Sequence, residues 1–177
     1  QEMSRGLGDV YKRQTYHRAT VTGIDQRDGR VVGVTLDSGA SISCGTVVNA
    51  AGPRAARVAQ MAGLELPVEP RKRFTYVFQA AEPLDEPLPL TIDPSGLHVR
   101  SDGDAYLAGC GPDIDHAVEP DDLTMDADLW ESKVWPVLAH RIPAFERIKV
   151  TTRWAGHYAY NTLDLSLIHI SEPTRHL

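Results

Sequence analysis

Cysteine is scarce in this sequence. Its 177 residues include two, Cys44 and Cys110, which are far apart and form no C-x-x-C pair. Two lone thiols are typical of small buried side chains in a reducing compartment, and not of a disulfide framework. We therefore expect a cytoplasmic location.

Long apolar runs and an excess of positive charge are lacking too. No apolar stretch approaches the ~18 residues of a membrane-spanning helix, so we expect no membrane span. The 18 Lys and Arg are outnumbered by 24 Asp and Glu, which gives a net charge of −6. This balance disfavours nucleic acids and anionic membranes as partners. A hydrophobic content of 42% and a charged content of 24% are ordinary for a soluble globular protein.

Complete catalytic and metal-binding signatures are also missing. The sequence has no H-E-x-x-H and no triad-like order of Ser, His and Asp. The "GLG" at residues 6–8 begins like a phosphate loop, but Tyr11 stands where the third glycine of G-x-G-x-x-G belongs. The acidic segment "GPDIDH", residues 111–116, is a weak metal signal that favours a solvated loop, so we predict no metal site.

The two ends of the chain are related to each other. The stretches "SRGLGDVYKRQ", residues 4–14, and "LSLIHISEPTR", residues 165–175, are equally long. Codons can be chosen for the first stretch such that their reverse complements encode the second stretch at every position. We interpret both as translated adapter from a sequencing library, and we predict that residues 1–14 and 165–177 are non-native. Residues 15–164 are then an internal piece of a longer protein.

Alternation of side chains predicts β-structure in the first part of that piece. From Ala19 the pattern indicates a three-stranded meander with corners at Asp28-Gly29 and Ser38-Gly39. Its third strand is expected to continue into a fully buried strand at Val47-Val48, followed by a tight turn and a short helix that ends at Gly63.

The second part reads as an antiparallel sheet with one helix. The stretches "RKRFTYVFQA", "GLHVR", "AYLAGC" and "RIKVTTRWAGHYAYN" are strand-like, and the middle two form a hairpin. A helix is predicted from Asp128 to His140, with Trp130, Val134 and Leu138 on one stripe and a break or kink at Pro136.

Small residues at Ala50, Ala51 and Gly52 follow the predicted buried strand. They allow the backbone to approach a large ligand closely. They also suit a tight strand-to-helix turn packed against a sheet, and spacing alone favours this structural interpretation.

Candidate binding residues lie in two of the strands. In "RKRFTYVF", Arg71 and Arg73 share one parity and Tyr76 has the other, so one set points inward. An inward arginine pairs well with a substrate carboxylate, whereas exposed charges on a sheet edge discourage aggregation. His157 beside Tyr158 is a candidate for proton transfer, although a histidine at a strand end is more often structural.

Four stretches in series resemble one known family. "VVNAAG", "LPVEPRKR", "KVWPVLAHRIPAF" and "WAGHYAYNTLD" are similar to the D-amino-acid oxidase-type FAD-dependent oxidoreductases, which include the sarcosine, dimethylglycine and glycine oxidases. The resemblance is strongest to a branch associated with assembly of respiratory complex I. It implies an α/β fold (a mixed α+β fragment), with part of an FAD/NAD(P)-binding domain and an antiparallel substrate-domain sheet.

The resemblance also implies a domain plan. Residues 15–63 correspond to the distal part of the FAD-binding domain, 64–150 to the substrate-domain sheet and helix, and 151–164 to a return strand. The family's pyrophosphate loop lies upstream of these residues, so we expect the isolated chain to be inactive although its parent binds FAD.

The family's site residues carry over to a few positions. The backbone of Val21 matches the valine that meets the FAD adenine, and Ala50, Ala51 and Gly52 match the residues beside the cofactor. Tyr158 stands where glycine-oxidase-like enzymes have a carboxylate-binding arginine, so a simple carboxylate clamp is not supported. The implied substrate-binding candidates are Arg71, Arg73, Tyr76 and Tyr158; the candidate catalytic residues are His157 and Tyr158.

The implied activity is hydride transfer from a secondary amine or amino acid to flavin, with a small-molecule substrate as partner. The alternative is a flavin-containing assembly factor with a respiratory-chain partner and little turnover, because a fold alone does not fix a function.

Overall fold

A computed structural model describes residues 14–163. The predicted adapter-like ends lie outside this range, apart from Gln14. The described chain divides into two compact units: residues 14–48 with 61–64, and residues 49–60 with 65–163. Within the described residues, no helix combines the length and the apolar character needed to cross a bilayer.

The smaller unit is the predicted antiparallel meander, in the order β1-β2-β3. Its strands are β1 (Val21–Arg27), β2 (Arg30–Leu36) and β3 (Ser41–Ser43). The first corner uses Asp28 and Gly29, both with positive φ, at 51° and 72°, as a tight hairpin turn requires. The meander prediction is therefore confirmed.

The predicted strand at Val47-Val48 is wrong. No strand is formed between Ser43 and Gly52, and Val48 is 84% exposed. A buried strand needs neighbours on both edges to satisfy its backbone groups. Within residues 14–163, no strand pairs with this segment.

The larger unit contains a five-stranded antiparallel sheet in the order β5-β6-β7-β4-β8. The strands are β4 (Val68–Ala80), β5 (Thr91–Ile92), β6 (His98–Asp102), β7 (Ala105–Cys110) and β8 (Ile148–Asn161). The four predicted strand-like stretches thus form one sheet. Of the predicted return strand, 151–164, residues 151–161 are the second part of β8 and belong to this sheet, whereas Asp164 lies outside the described residues.

One face of this sheet is covered by helical segments. Phe74, Tyr76 and Phe78 alternate along β4 and are each at most 3% exposed, and they share a core with Leu138 and Phe145. Phe78 contacts Tyr106, Trp130 and Phe145, with ring centroids at 5.5, 6.0 and 5.1 Å. Aromatic packing therefore decides which side of β4 faces inward.

The covering helix differs from its prediction at the proline. The segment begins as a π-helical turn, Trp130–Val134, and continues as α2, Trp135–Arg141. Pro136 lies in the first turn of α2, where a missing N–H is best tolerated. The wider turn before it replaces the expected break, and Val134 and Leu138 remain buried.

The short segment at residues 49–60 also belongs to the larger unit. A 3-10 turn, Gly52–Arg54, leads into α1, Ala55–Met61, with Pro53 at the start as predicted. Gly63 follows α1 with a φ of 72°, which confirms the predicted C-terminal stop.

Candidate functional site

The sheet face opposite α2 carries most of the predicted site residues. We call it the open sheet face, and define it by the β4, β6, β7 and β8 residues whose parity is opposite to that of the core. Cross-strand partners share a face in an antiparallel sheet, so the pairs Arg71–Tyr158, Arg73–Gly156 and Thr75–Trp154 lie on it. Trp154 and Tyr158 are 44% and 49% exposed.

Glycines remove side-chain bulk from the centre of this face. Gly109 and Gly156 have its parity, but the space over Gly109 is occupied by His98, so the open space is at Gly156. A Cβ added to Gly156 would meet nothing within 4 Å. Trp154 and Tyr158 stand two residues to either side of it on β8, so their Cα atoms are roughly 14 Å apart at about 3.4 Å per residue. The result is a shallow floor between two aromatic side chains, suited to a flat or small ligand.

Arg73 is held tightly at the edge of this floor. Its Nη1 and Nη2 each donate to a carboxylate oxygen of Asp115 at 2.8 Å. Its guanidinium lies over the Tyr158 ring, with Cζ 4.9 Å from the centroid. A Cβ on Gly111 would come within 3.4 Å of Nη1. The hydrogen bonds between Arg73 and Asp115 lower the pKa of the Asp115 carboxyl group and raise the pKa of the Arg73 guanidinium.

Arg71, like Arg73, is paired with a carboxylate and lies against a tyrosine ring. Its Nη2 donates to Glu69 Oε2 at 2.7 Å, and its Nη1 donates to the Asp115 carbonyl oxygen. Cζ lies 4.6 Å from the centroid of the Tyr160 ring. Both predicted substrate-binding arginines therefore already have carboxylate partners, so a substrate carboxylate would have to displace Glu69 or Asp115 to reach them.

Tyr76 does not share this face, which corrects its grouping with the arginines. Alternate residues of a strand point to opposite sides, and Tyr76 is fully buried against Trp130, with ring centroids 4.9 Å apart. Burial raises the pKa of its hydroxyl to about 12. The hydroxyl oxygen has no hydrogen-bond partner among the described residues.

His157 also has the parity of the core face. It lies opposite Lys72, and its Nε2 donates to the Asp122 carbonyl at 2.8 Å. Lys72 Nζ binds the Asp122 carboxylate at 2.7 Å and Thr124 Oγ1 at 3.1 Å. The two side chains thus anchor one loop, which is the structural role that the sequence already favoured for a histidine at a strand end. His157 and Tyr158 point to opposite faces and do not form a pair.

The acidic segment has separate partners for its charges. Asp113 binds Lys133 Nζ at 2.8 Å, whereas Asp115 binds Arg73. His116 Nδ1 is 3.1 Å from the Ile114 carbonyl. Within residues 14–163 no group of three or more His, Cys, Asp or Glu side chains is placed to hold a metal ion.

The predicted cofactor-contact residues are small and accessible. Ala50 and Gly52 are exposed, and a Cβ on Gly52, whose φ is 55°, would meet nothing within 4 Å. Asn49 braces this turn: its Oδ1 accepts from Ala51 N at 3.2 Å and its Nδ2 donates to the Ala55 carbonyl at 2.8 Å. The 3-10 turn that follows contacts β4 and β8.

Val21 belongs to the other unit, where it begins β1. β1 is an edge strand of the meander and pairs with β2 alone among the described strands. Its outer edge therefore leaves backbone groups available to a ligand. Each of the two predicted contact positions, taken by itself, has backbone that a ligand could approach.

Sequence comparison decides the family. Residues 12–176 match the family described as FAD dependent oxidoreductase. The chain belongs to this family. The predicted FAD-dependent oxidoreductase relationship and the FAD cofactor are thereby confirmed at the level of the family.

Individual members agree with this assignment. The chain is 40% identical over 136 residues to FAD-dependent oxidoreductase domain-containing protein 1 of Bos taurus, across 70% of this chain and 28% of that protein. It is 32% identical to glycine oxidase of Pseudomonas putida, across 77% of this chain and 35% of the enzyme. The chain thus spans about a third or less of these relatives.

A solved structure confirms the fold. Glycine oxidase from Geobacillus kaustophilus superposes with a TM-score of 0.67 at 20% identity, over 83% of this chain and 38% of that one. The predicted mixed α/β fold with an antiparallel sheet is confirmed.

The sequence did not single out His98, Trp154 or the glycine floor. The hairpin between β6 and β7 contained the signal for His98. Its turn pairs Asp102 with Ala105, and counting outward from that pair places His98 opposite Gly109.

Proposed function

We propose that the parent of this chain oxidises a secondary amine or an amino acid by passing a hydride to FAD, and that the open sheet face is its substrate side. The observation that carries the proposal is the glycine floor around Gly156, bounded by the exposed rings of Trp154 and Tyr158. Relatives named glycine oxidase and sarcosine oxidase subunit beta support this substrate class.

Each part of the face has a distinct role in the proposal. Trp154 and Tyr158 exclude water from the floor and orient the substrate by apolar contact. Arg73 and Asp115 fix the position of Tyr158 through the guanidinium that lies against its ring. Because Asp115 neutralises Arg73, the face favours substrates that bind without a carboxylate clamp.

The cofactor would be held partly by backbone. Ala50, Ala51 and Gly52 would lie alongside it, and the outer edge of β1 at Val21 would meet its adenine. The chemistry that FAD supplies when bound is acceptance of a hydride from the carbon next to the amine nitrogen. The resulting imine is hydrolysed by water.

The proposal is tested with the full-length parent. Purified holoprotein is mixed anaerobically with sarcosine, dimethylglycine, glycine or proline, and bleaching of the flavin absorbance is followed. We expect reduction by at least one of these amines. Gly156→Leu should fill the floor and slow reduction at least tenfold, since a misplacement of about 1 Å can cost about 100-fold.

A matched substitution separates the floor from the strand. Lys149→Leu places the same side chain at an exposed position of β8 outside the floor, and both variants should retain the FAD content of the parent. Absence of reduction by every amine, together with co-purification of respiratory subunits, would favour the assembly-factor alternative and defeat the proposal.

A further inference from the structure

His98 is a titratable side chain on the open sheet face whose role is not yet assigned. It lies on β6 directly opposite Gly109 of β7. A Cβ built on Gly109 would be 2.5 Å from His98 Nε2 and 2.6 Å from Cε1. The imidazole therefore rests on the backbone of the glycine, in space that any other residue would fill.

The strand register places His98 in the same row of the open sheet face as Trp154. His98 pairs with Gly109, Gly109 with Thr75, and Thr75 with Trp154. These four residues form one row across β6, β7, β4 and β8. The imidazole over Gly109 and the Trp154 side chain therefore lie on the same face, with Thr75 between them.

Among residues 14–163, the ring nitrogens of His98 have no hydrogen-bond partner. Charged groups with the parity of this face include Arg71 and Arg73 on β4 and Arg100 and Asp102 on β6. Arg100 is bound to Asp102 at 3.0 Å, and Arg73 is bound to Asp115. β5 presents the apolar Ile92 to it. Burial lowers the pKa of His98, with no contribution from a hydrogen bond or a charge of the described residues, so the imidazole is neutral near physiological pH.

We propose that His98 contacts the substrate amine and accepts the proton from its nitrogen. This inference rests on the proposed function. A simple alkylamine is protonated near neutral pH, and its carbon releases hydride only when the nitrogen lone pair is free. The ammonium N–H bond breaks, its electron pair stays on the nitrogen, and the proton forms a new N–H bond on the imidazole. The imidazolium later returns this proton to solvent.

The first test is the pH dependence of His98→Gln in the full-length holoprotein, with sarcosine as the probe. We expect flavin reduction to fall about 100-fold near neutral pH, the lower part of the range for general acid–base catalysis. The loss should shrink to a few-fold at alkaline pH, because sarcosine then loses its proton to solvent without help. His140→Gln, at an exposed position of α2, should leave the profile unchanged.

A second variant displaces the imidazole without removing it. Gly109→Ala introduces the Cβ that collides with the His98 ring, and that Cβ would also lie 3.2 Å from the Phe74 carbonyl oxygen. Reduction should be impaired with the same pH dependence. The double variant His98→Gln/Gly109→Ala should be little slower than His98→Gln, because the two changes remove one interaction.

A spectroscopic readout does not depend on turnover. With ring-labelled histidine in the resting holoprotein, the His98 signal, assigned by its loss in His98→Gln, should titrate below the ordinary value of about 6.5. In Gly109→Ala it should move back toward that value as the ring enters solvent.

The outcomes separate the two proposals. If sarcosine reduces the parent but His98→Gln is unaffected, or is slowed equally at all pH values, the role of His98 is overturned and the proposed function stands. If none of the four amines reduces the parent, the proposed function fails, and this inference fails with it.

Discussion

Replacing Tyr76 with phenylalanine should stabilise the protein. The hydroxyl is buried without a hydrogen-bond partner among the described residues, and such a group costs about 1–3 kcal/mol of desolvation. The ring would keep its contact with Trp130, 4.9 Å between centroids, so no apolar burial is lost. We therefore expect the free energy of unfolding to rise by about 1 kcal/mol, which is about 2–4 °C in the melting temperature of a protein of this size.

Tyr106→Phe is the matched control with the opposite sign. Its hydroxyl accepts a hydrogen bond from the Leu84 backbone N–H at 2.8 Å, and its removal leaves that N–H unpaired. We expect a loss of about 1 kcal/mol. Urea denaturation of the two variants and the unsubstituted chain measures both changes. A lower midpoint for Tyr76→Phe would refute the reasoning and reveal a partner for its hydroxyl.

Tyr76→Phe should also change how the free energy of unfolding falls at alkaline pH. Burial raises the pKa of Tyr76 from its ordinary value of 10.0 to about 12 in the folded state, so the folded protein retains this proton more tightly. Its contribution is fully present below the unfolded pKa and is lost as the pH rises toward the folded pKa. Tyr76→Phe should therefore lose less stability in this window, as followed by thermal melts.

Three further substitutions test other parts of the fold. Phe145→Ala removes a fully buried ring from the core and should cost about 3–5 kcal/mol in urea denaturation, whereas Phe145→Leu should cost clearly less. Gly63→Ala should cost about 1 kcal/mol because of the positive φ of 72°, while Gly45→Ala, which has open space around it, should be close to neutral in the same assay. The lowered pKa of Asp115 gives stability that is present above the unfolded pKa and is lost as the pH falls through the folded pKa. Asp115→Asn should therefore reduce the loss of melting temperature at acidic pH. An unchanged loss would show that the ion pair between Asp115 and Arg73 does not contribute.

Local chemistry made much of the fold predictable. The Asp28-Gly29 corner and the helix end at Gly63 require positive φ, and Asp and Gly are residue types that adopt positive φ. The alternation in β4 was visible too, but it left open which parity faces inward. That choice depends on α2 and its preceding π-helical turn packing over Phe74 and Phe78, which is tertiary information.

The remaining differences come from long-range pairing. Val47-Val48 has the composition of a buried strand, yet a strand forms only where neighbours accept and donate its backbone hydrogen bonds. His98 gains its place from Gly109, a residue on another strand, and Tyr76 loses its predicted role because its strand has two faces. Residue types alone do not show which residues pair across strands or which face a side chain takes. The β6–β7 turn does fix the pairing of His98 with Gly109.

The pairing of β4 with β8 sets the order in which the larger unit can assemble. Val68 lies opposite Asn161, and Ala80 opposite Ile148, so the strand in the interior of the sheet acquires one of its neighbours from the far end of the chain. During synthesis β4 can pair with β7 first, but its other edge stays unsatisfied until the ribosome has released β8. Such distant contacts fold slowly, and the waiting edge is open to pairing with another copy. Translation rate and chaperone supply, rather than final stability, would then govern the yield of soluble protein.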